Sequence, residues 1–259
     1  MRSTRPASGV SLPRSPQIPH MSGTQGYAVV SCHVERPLDD SVWERYRALL
    51  ERRPSGFAIT SLLRPPADGE DAALFVRRAR EAAALGPLGH HIHWTSPTHA
   101  RPTAADPEGA VRREGAWLRE QGLEPRYFCG GGWYVDAGVM GAVADLGYVD
   151  CTATAWRPAY LPTGAPRAAL DQPAWVRLDD GRRVLELPTT HSLGAVVRSL
   201  ARPLPPVVHV HFHDYELLDP KRRTALAVTL AVLARRRRPT ALDALETDRE
   251  VAWADVWAG

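Results

Sequence analysis

Apolar and polar positions alternate most regularly in Val207-Val208-His209-Val210-His211-Phe212-His213, where an imidazole occupies every second place. In an extended strand this puts His209, His211 and His213 on one face and Val208, Val210 and Phe212 on the other. Shorter apolar runs at Tyr27–Val34, Phe57–Leu63, Leu88–Trp94, Arg126–Cys129, Tyr148–Thr152 and Val184–Leu187 read as six further strands. Helical spacing falls between them. Pro37 ends the first strand, and Asp39-Asp40-Ser41 supplies an N-cap for a helix with Val42, Tyr46, Leu49 and Leu50 on one side. Glu70–Leu85, Glu108–Gln121, Asp136–Leu146, Ser192–Leu200 and Asp219–Arg236 continue the series, with Gly122 and Gly147 as stops. Trp156–Gly181, heavy in Pro and Gly, reads as an excursion forming a lid or rim.

Strand and helix thus alternate seven times, which predicts a single-domain α/β fold: a distorted (β/α)7-type barrel, parallel and closed or nearly so. The barrel is expected over residues 25–246. Residues 1–24, rich in Arg, Ser and Pro, read as a disordered arm without the apolar core of a secretory signal, and 247–259 as a weakly structured tail.

Composition narrows the class. An apolar content of 44% and a charged content of 24% describe a soluble globular chain, and the formal charge of +3 is too small to argue for a nucleic-acid surface. The basic residues are nearly all arginine, and the Arg235–Arg238 run reads as a solvated helix end. Three cysteines without a CxxC pair fit a reducing compartment, and no apolar run approaches a membrane span. The expectation is a cytoplasmic protein with neither nucleic acid nor membrane as partner.

The chemistry lies at strand ends. His209, His211 and His213 cannot all sit idle in an apolar interior; they call for carboxylates, a metal or a wet pocket. Ser31-Cys32-His33-Val34-Glu35 and Gly89-His90-His91-Ile92-His93-Trp94 have the same character. In parallel barrels the C-terminal strand ends face the active site, so His33, Glu35, His91, His93, Asp150 and His213 are expected to converge there. The glycines of Gly130-Gly131-Gly132-Trp133-Tyr134 either expose backbone N–H groups to an oxyanion or make a plain tight turn. Trp94, Trp133 and Tyr134 either stack on a flat ligand or pack the rim. His209, deeper in its strand, reads as a core histidine.

In order and spacing these motifs resemble the polysaccharide deacetylases of the NodB-homology type, carbohydrate esterase family 4 and its relatives, across roughly Gly26 to Glu246. The resemblance implies a divalent metal, usually zinc, and hydrolysis of an N-acyl or other non-peptide C–N bond. It places His33 at the position of the base and Glu35 at that of a metal ligand. His91 matches the first metal histidine; Thr95 stands where the second is expected, and His93 is the natural replacement. Cys129 stands where the family carries an arginine. His213 matches the histidine that acts as acid, with His211 second and Asp150 or Asp214 available to orient an imidazole. Gly131, Gly132, Trp133, Tyr134, Trp94 and His211 fall where substrate would bind. The implied substrate is a small N-acylated sugar or metabolite. The same replacements also suit a non-catalytic, carbohydrate-binding relative.

Overall fold

Eight consecutive buried residues, Tyr27–Val34, form β1, the strand on which the sheet is centred. In the computed structural model residues 26–94, 105–158, 161, 164 and 167–257 are described; the expected arm at 1–24 and the position of Thr95 lie outside them. The other strands are β2 (Ile59–Leu63), β3 (Leu88–Ile92), β4 (Tyr127–Gly130), β5 (Val149–Asp150), β6 (Ala174–Arg177), β7 (Arg183–Glu186), β8 (His191–Ser192), β9 (Val207–His213), β10 (Arg238–Pro239) and β11 (Glu250–Ala252). The helices are α1 (Asp40–Arg52), α2 (Ala72–Leu85), α3 (Pro107–Glu120), α4 (Ala137–Asp145), α5 (Leu193–Ser199), α6 (Pro220–Arg236) and α7 (Trp253–Val256). Each of α1 to α6 begins at an Asp or Ser whose side-chain oxygen accepts a backbone N–H of the first turn. None of the described helices is long and apolar enough to cross a membrane.

The seven expected strands are those of the parallel run β7-β5-β4-β3-β2-β1-β9. Among the described residues the sheet is not closed by a strand ladder, but one stretch of chain bridges its two sides. β7 pairs with β5 through Asp150 and Glu186; a few residues later β8 pairs with β9, His191 opposite Val210. The segment from Leu187 to Thr190 therefore spans the gap that an eighth strand would fill, and the barrel is distorted there. Among the described residues four strands and one short helix lie beyond the expected set; β8 and β10 are two-residue pairings onto β9 and β1. Part of the Pro- and Gly-rich excursion is β6, antiparallel to β7, and part of the expected tail is β11, parallel to β6, followed by α7 with Trp253 and Val256 buried. No residue pattern marks three residues such as Glu250–Ala252 as a strand; the edge of β6 does.

Alternation along the strands divides the side chains. Ala28, Val30, Cys32 and Val34 of β1 join Val208, Val210 and Phe212 of β9 in a core shared with the helices, while Tyr27, Val29 and Val207 point the other way into a smaller inner cluster with Leu62, Tyr127 and Cys129. His209 lies on this inner side and is satisfied, with Nε2 2.8 Å from Ser31 Oγ and Nδ1 3.2 Å from the Leu187 carbonyl.

Asp150 and Glu186, both fully buried, face each other across β5 and β7. Asp150 Oδ1 accepts the Thr152 N–H (3.0 Å) and hydroxyl (2.6 Å), and Glu186 Oε1 accepts the Ala153 N–H (3.1 Å). Their remaining oxygens are buried without a hydrogen-bond partner among the described residues. Burial pushes both acids up, and the Asp150 charge pushes Glu186 further. Such a pair adds stability below the unfolded carboxylate range, about pH 4, and loses it as pH rises through the folded values. Melting midpoints measured from pH 5 to 9 should fall for the wild type and much less for Glu186→Gln, whose amide donates to Asp150 without a titrating proton. Parallel curves would mean that the pair does not share a proton. Of the two groups expected to orient an imidazole, Asp150 or Asp214, Asp150 has no histidine among its described hydrogen-bond partners: its Oδ1 is taken up by Thr152 and it faces Glu186 across the sheet.

Candidate metal centre

Pairing of β1 with β9 sets His33 opposite His213 and Ser31 opposite His211, and β3 sets His91 opposite Cys129. Glu35, just past the end of β1, turns its carboxylate into this group. Its Oε1 lies 3.4 Å from Nε2 of His213, 3.6 Å from Nε2 of His93 and 3.9 Å from Nε2 of His91. The structure thus brings together the three strand ends picked out in the sequence. Arg64 holds the backbone beside them, donating to the Glu35 carbonyl (3.2 Å) while forked against Glu70 (2.8 and 3.0 Å).

The tautomer of His91 follows from geometry. Its Nδ1 lies 3.0 Å from the carbonyl oxygen of Cys129, which can only accept, so Nδ1 carries the proton. Nε2 then presents a lone pair; it is buried and has no hydrogen-bond partner. It faces a carboxylate oxygen, which also cannot donate. A cation resolves this. The donor atoms of Glu35, His91 and His93 all lie within 4.8 Å of one another. Zinc bonds of about 2.0–2.1 Å in a tetrahedron separate donor atoms by roughly 3.4 Å, close to the separations from Glu35. Two imidazole nitrogens and one carboxylate form a zinc-type set, and the backbone partner on Nδ1 fixes the His91 ring. The residues present therefore fit a divalent ion.

Electrostatics point the same way. Burial alone would raise the Glu35 carboxyl, but His93, His213 and His91 outweigh it and hold it down at about 2. Burial, reinforced by His93, lowers His91 to about 3. At neutral pH the group is an anion beside an uncharged imidazole, as ligation requires.

Around it the rings stack. His33 lies 4.3 Å from the His91 ring and 5.2 Å from His211, and burial with the adjacent His91 drives it well below the usual imidazole range. A second donor cluster, His33, His91 and Cys129, shares His91 with the first. Trp133 packs 5.3 Å from His33 and 4.8 Å from His211, on a backbone with φ of 62° that non-glycine residues seldom adopt. Trp156 lies parallel to His211 at 6.4 Å; within a Pro- and Gly-rich stretch nothing in its sequence setting marked it. Trp94 and Tyr134 instead pack against each other in the outer core, where Trp94 Nε1 donates to the Gly131 carbonyl (2.7 Å) and Tyr134 Oη to Asp136 (2.5 Å). The glycines serve a tight turn: Gly132 has φ of 62°, and a Cβ on Gly130 would lie 2.2 Å from the Tyr134 carbonyl oxygen.

The carboxylate beside His213 is Glu216. It accepts the His213 backbone N–H at 3.0 Å, lies 4.0 Å from Nδ1, and is itself paired with Arg222 at 3.4 Å. Asp214, also buried, accepts the N–H groups of Arg36 (2.9 Å) and Tyr215 (2.8 Å) and a further one from Glu35. It therefore ties the Glu35 turn to the end of β9 rather than orienting an imidazole. Asp214→Ala leaves these donors buried without an acceptor, at about 1–3 kcal/mol for each group left dry. Denaturant titration should show a loss of roughly 3 kcal/mol; a loss under about 1 kcal/mol would mean that water replaces the carboxylate freely.

Sequence comparison finds no matching family model and no matching curated protein. Solved structures do match. A candidate polysaccharide deacetylase from Mycobacterium smegmatis superposes with a TM-score of 0.57 at 15% identity, covering 89% of this chain and 88% of that one. The chitin deacetylase of Colletotrichum lindemuthianum gives 0.51 at 13% identity over 91% and 92%. A family 4 carbohydrate esterase pseudoenzyme from Bacillus anthracis gives 0.52 at 12% identity over 88% and 68%. A mutant of that pseudoenzyme with restored enzymatic activity also gives 0.52. These likenesses establish architecture, and they agree with the barrel read from the strand pattern: this chain has the fold of the polysaccharide deacetylases.

Proposed function

We propose that the chain is a divergent, metal-dependent hydrolase of the polysaccharide deacetylase class, cleaving the N-acyl bond of a small sugar or metabolite. The observation that carries this reading is the buried, partnerless Nε2 lone pair of His91 aimed at the Glu35 carboxylate, an arrangement that stores no stability unless a cation sits between them. Glu35, His91 and His93 would hold a divalent ion, zinc by donor type. When bound, such an ion supplies Lewis acidity toward an acyl oxygen and lowers the pKa of a water. His33 occupies the base position. Burial keeps it unprotonated at neutral pH, the form in which a base acts. His213, with its side chain 26% exposed and Glu216 behind it, is placed to protonate a departing nitrogen. Trp133 and His211 would wall the acyl pocket.

The test pairs metal analysis of the purified chain with acetate release from a panel of N-acetylated sugars and amino acids. Bound zinc with zinc-dependent acetate release supports the reading; a folded, metal-free chain that stays inert after zinc addition sinks it. A second reading, a non-catalytic carbohydrate-binding relative, is favoured by Cys129 standing where the family's arginine is expected and by the likeness to a pseudoenzyme. It predicts sugar binding that His91→Ala leaves unchanged.

A further inference from the structure

Beside the candidate metal centre, Glu35 also lines a cleft of about 510 Å³ whose walls include Arg36, Arg64, Glu70 and Tyr215. One wall is aromatic. The His213 ring lies 5.1 Å from the Tyr215 ring at an interplanar angle of 20°, and the Arg36 guanidinium lies over the same ring, 5.3 Å from its centroid. One phenol ring thus touches both an exposed guanidinium and the most exposed imidazole of the centre.

The charges in this cleft are unequally matched. Arg64 is neutralised by its fork against Glu70. Asp39 Oδ1 is taken up by the N-terminus of α1, accepting from the N–H groups of Ser41 and Val42 and from the Ser41 hydroxyl, and its charge acts on Arg36 only across a longer distance. Glu35 is surrounded by imidazoles. The Arg36 guanidinium is left: among the described residues no carboxylate lies within ion-pair distance of it. A planar guanidinium held on an aromatic face keeps its outward N–H donors available and loses little freedom when an oxyanion binds.

We infer that the cleft selects N-acylated substrates bearing an anionic group, a phosphate or a carboxylate, which Arg36 binds while the acyl group lies at Glu35 and His213. This deepens the proposed function and rests on it for the position of the acyl group, though not for the anion preference. Neutral polymer ends would lack the charge that Arg36 is placed to meet.

Titration calorimetry on the full chain tests this without turnover. The probes are N-acetylglucosamine, N-acetylglucosamine 6-phosphate and N-acetylglutamate. At least one anionic probe should bind about tenfold more tightly than N-acetylglucosamine, a charge-assisted contact at a partly exposed site, and the tighter of the two identifies the anion. Arg36→Gln should abolish the preference and leave N-acetylglucosamine affinity unchanged, while Arg36→Lys should keep part of it. Equal binding of all three probes, no binding of either anion at millimolar concentration, or a preference that survives Arg36→Gln would overturn the inference. Acetate release by the zinc-supplemented protein is scored separately. Anion-selective binding without release leaves this inference standing and sinks the hydrolase reading; release with equal KM for charged and neutral probes does the reverse.

Discussion

In His91→Ala the zinc affinity of the purified chain should fall by roughly 100-fold or more, because even groups one shell beyond a metal ligand contribute 10- to 100-fold. Glu35→Ala should do the same. Glu35→Ala removes little packing, because the side chain is partly exposed at a strand end, whereas His91 is buried against His33 and His93, so its removal also lowers stability and the melts are read beside the zinc titration. The control lies on the same strand. His90 points to the other face, with Nε2 2.8 Å from Glu114 on α3, so His90→Ala should lower stability while leaving zinc in place. Equilibrium zinc titration with a competing chelator, alongside thermal melts, separates the two outcomes. If His90→Ala and His91→Ala lose zinc alike, the metal is not held by the inward face of β3.

The contrast between His90 and His91 also shows how far the sequence could be read. Alternation along an extended strand assigns a face to each residue, so the meeting of His33, His91, His93 and His213 was legible once the strands were taken as parallel and adjacent. What alternation cannot supply is a partner from a distant segment. Asp150 reads as an active-site residue and Glu186 as one polar residue on a short strand; only the β5–β7 register sets the two carboxyls opposite each other. Asp214 follows a histidine strand and reads as an orienting group, while nothing in the sequence singles out Glu216. The short helical turn after β9 decides between them, burying Asp214 against the Glu35 turn and setting Glu216 behind His213. Trp94 and Tyr134 flank the site in sequence, yet the chain direction after β3 and β4 carries them into the outer core.

The second large effect concerns His213. With zinc bound, His213→Ala should lower kcat for an N-acetylated amine by about 10²- to 10⁴-fold, the usual worth of a positioned proton donor, with KM nearly unchanged. The reason is the leaving group: an amine departs as an anion unless protonated, whereas a nitrophenolate departs unaided. The same variant should therefore hydrolyse 4-nitrophenyl acetate at close to the wild-type rate. His213 suits the donor role because its Nε2 lies on the side of the Glu35 carboxylate, at 3.4 Å, where the reacting group would sit, while Nδ1 lies 4.0 Å from Glu216, whose carboxylate orients the ring from behind. Glu216→Gln keeps the shape, removes that charge and should lose roughly tenfold on the amide alone, an effect on His213 rather than on substrate. Equal losses on amide and activated ester in His213→Ala would instead make the residue a part of the binding wall, and the proton for the amine would have to come from elsewhere in the cleft.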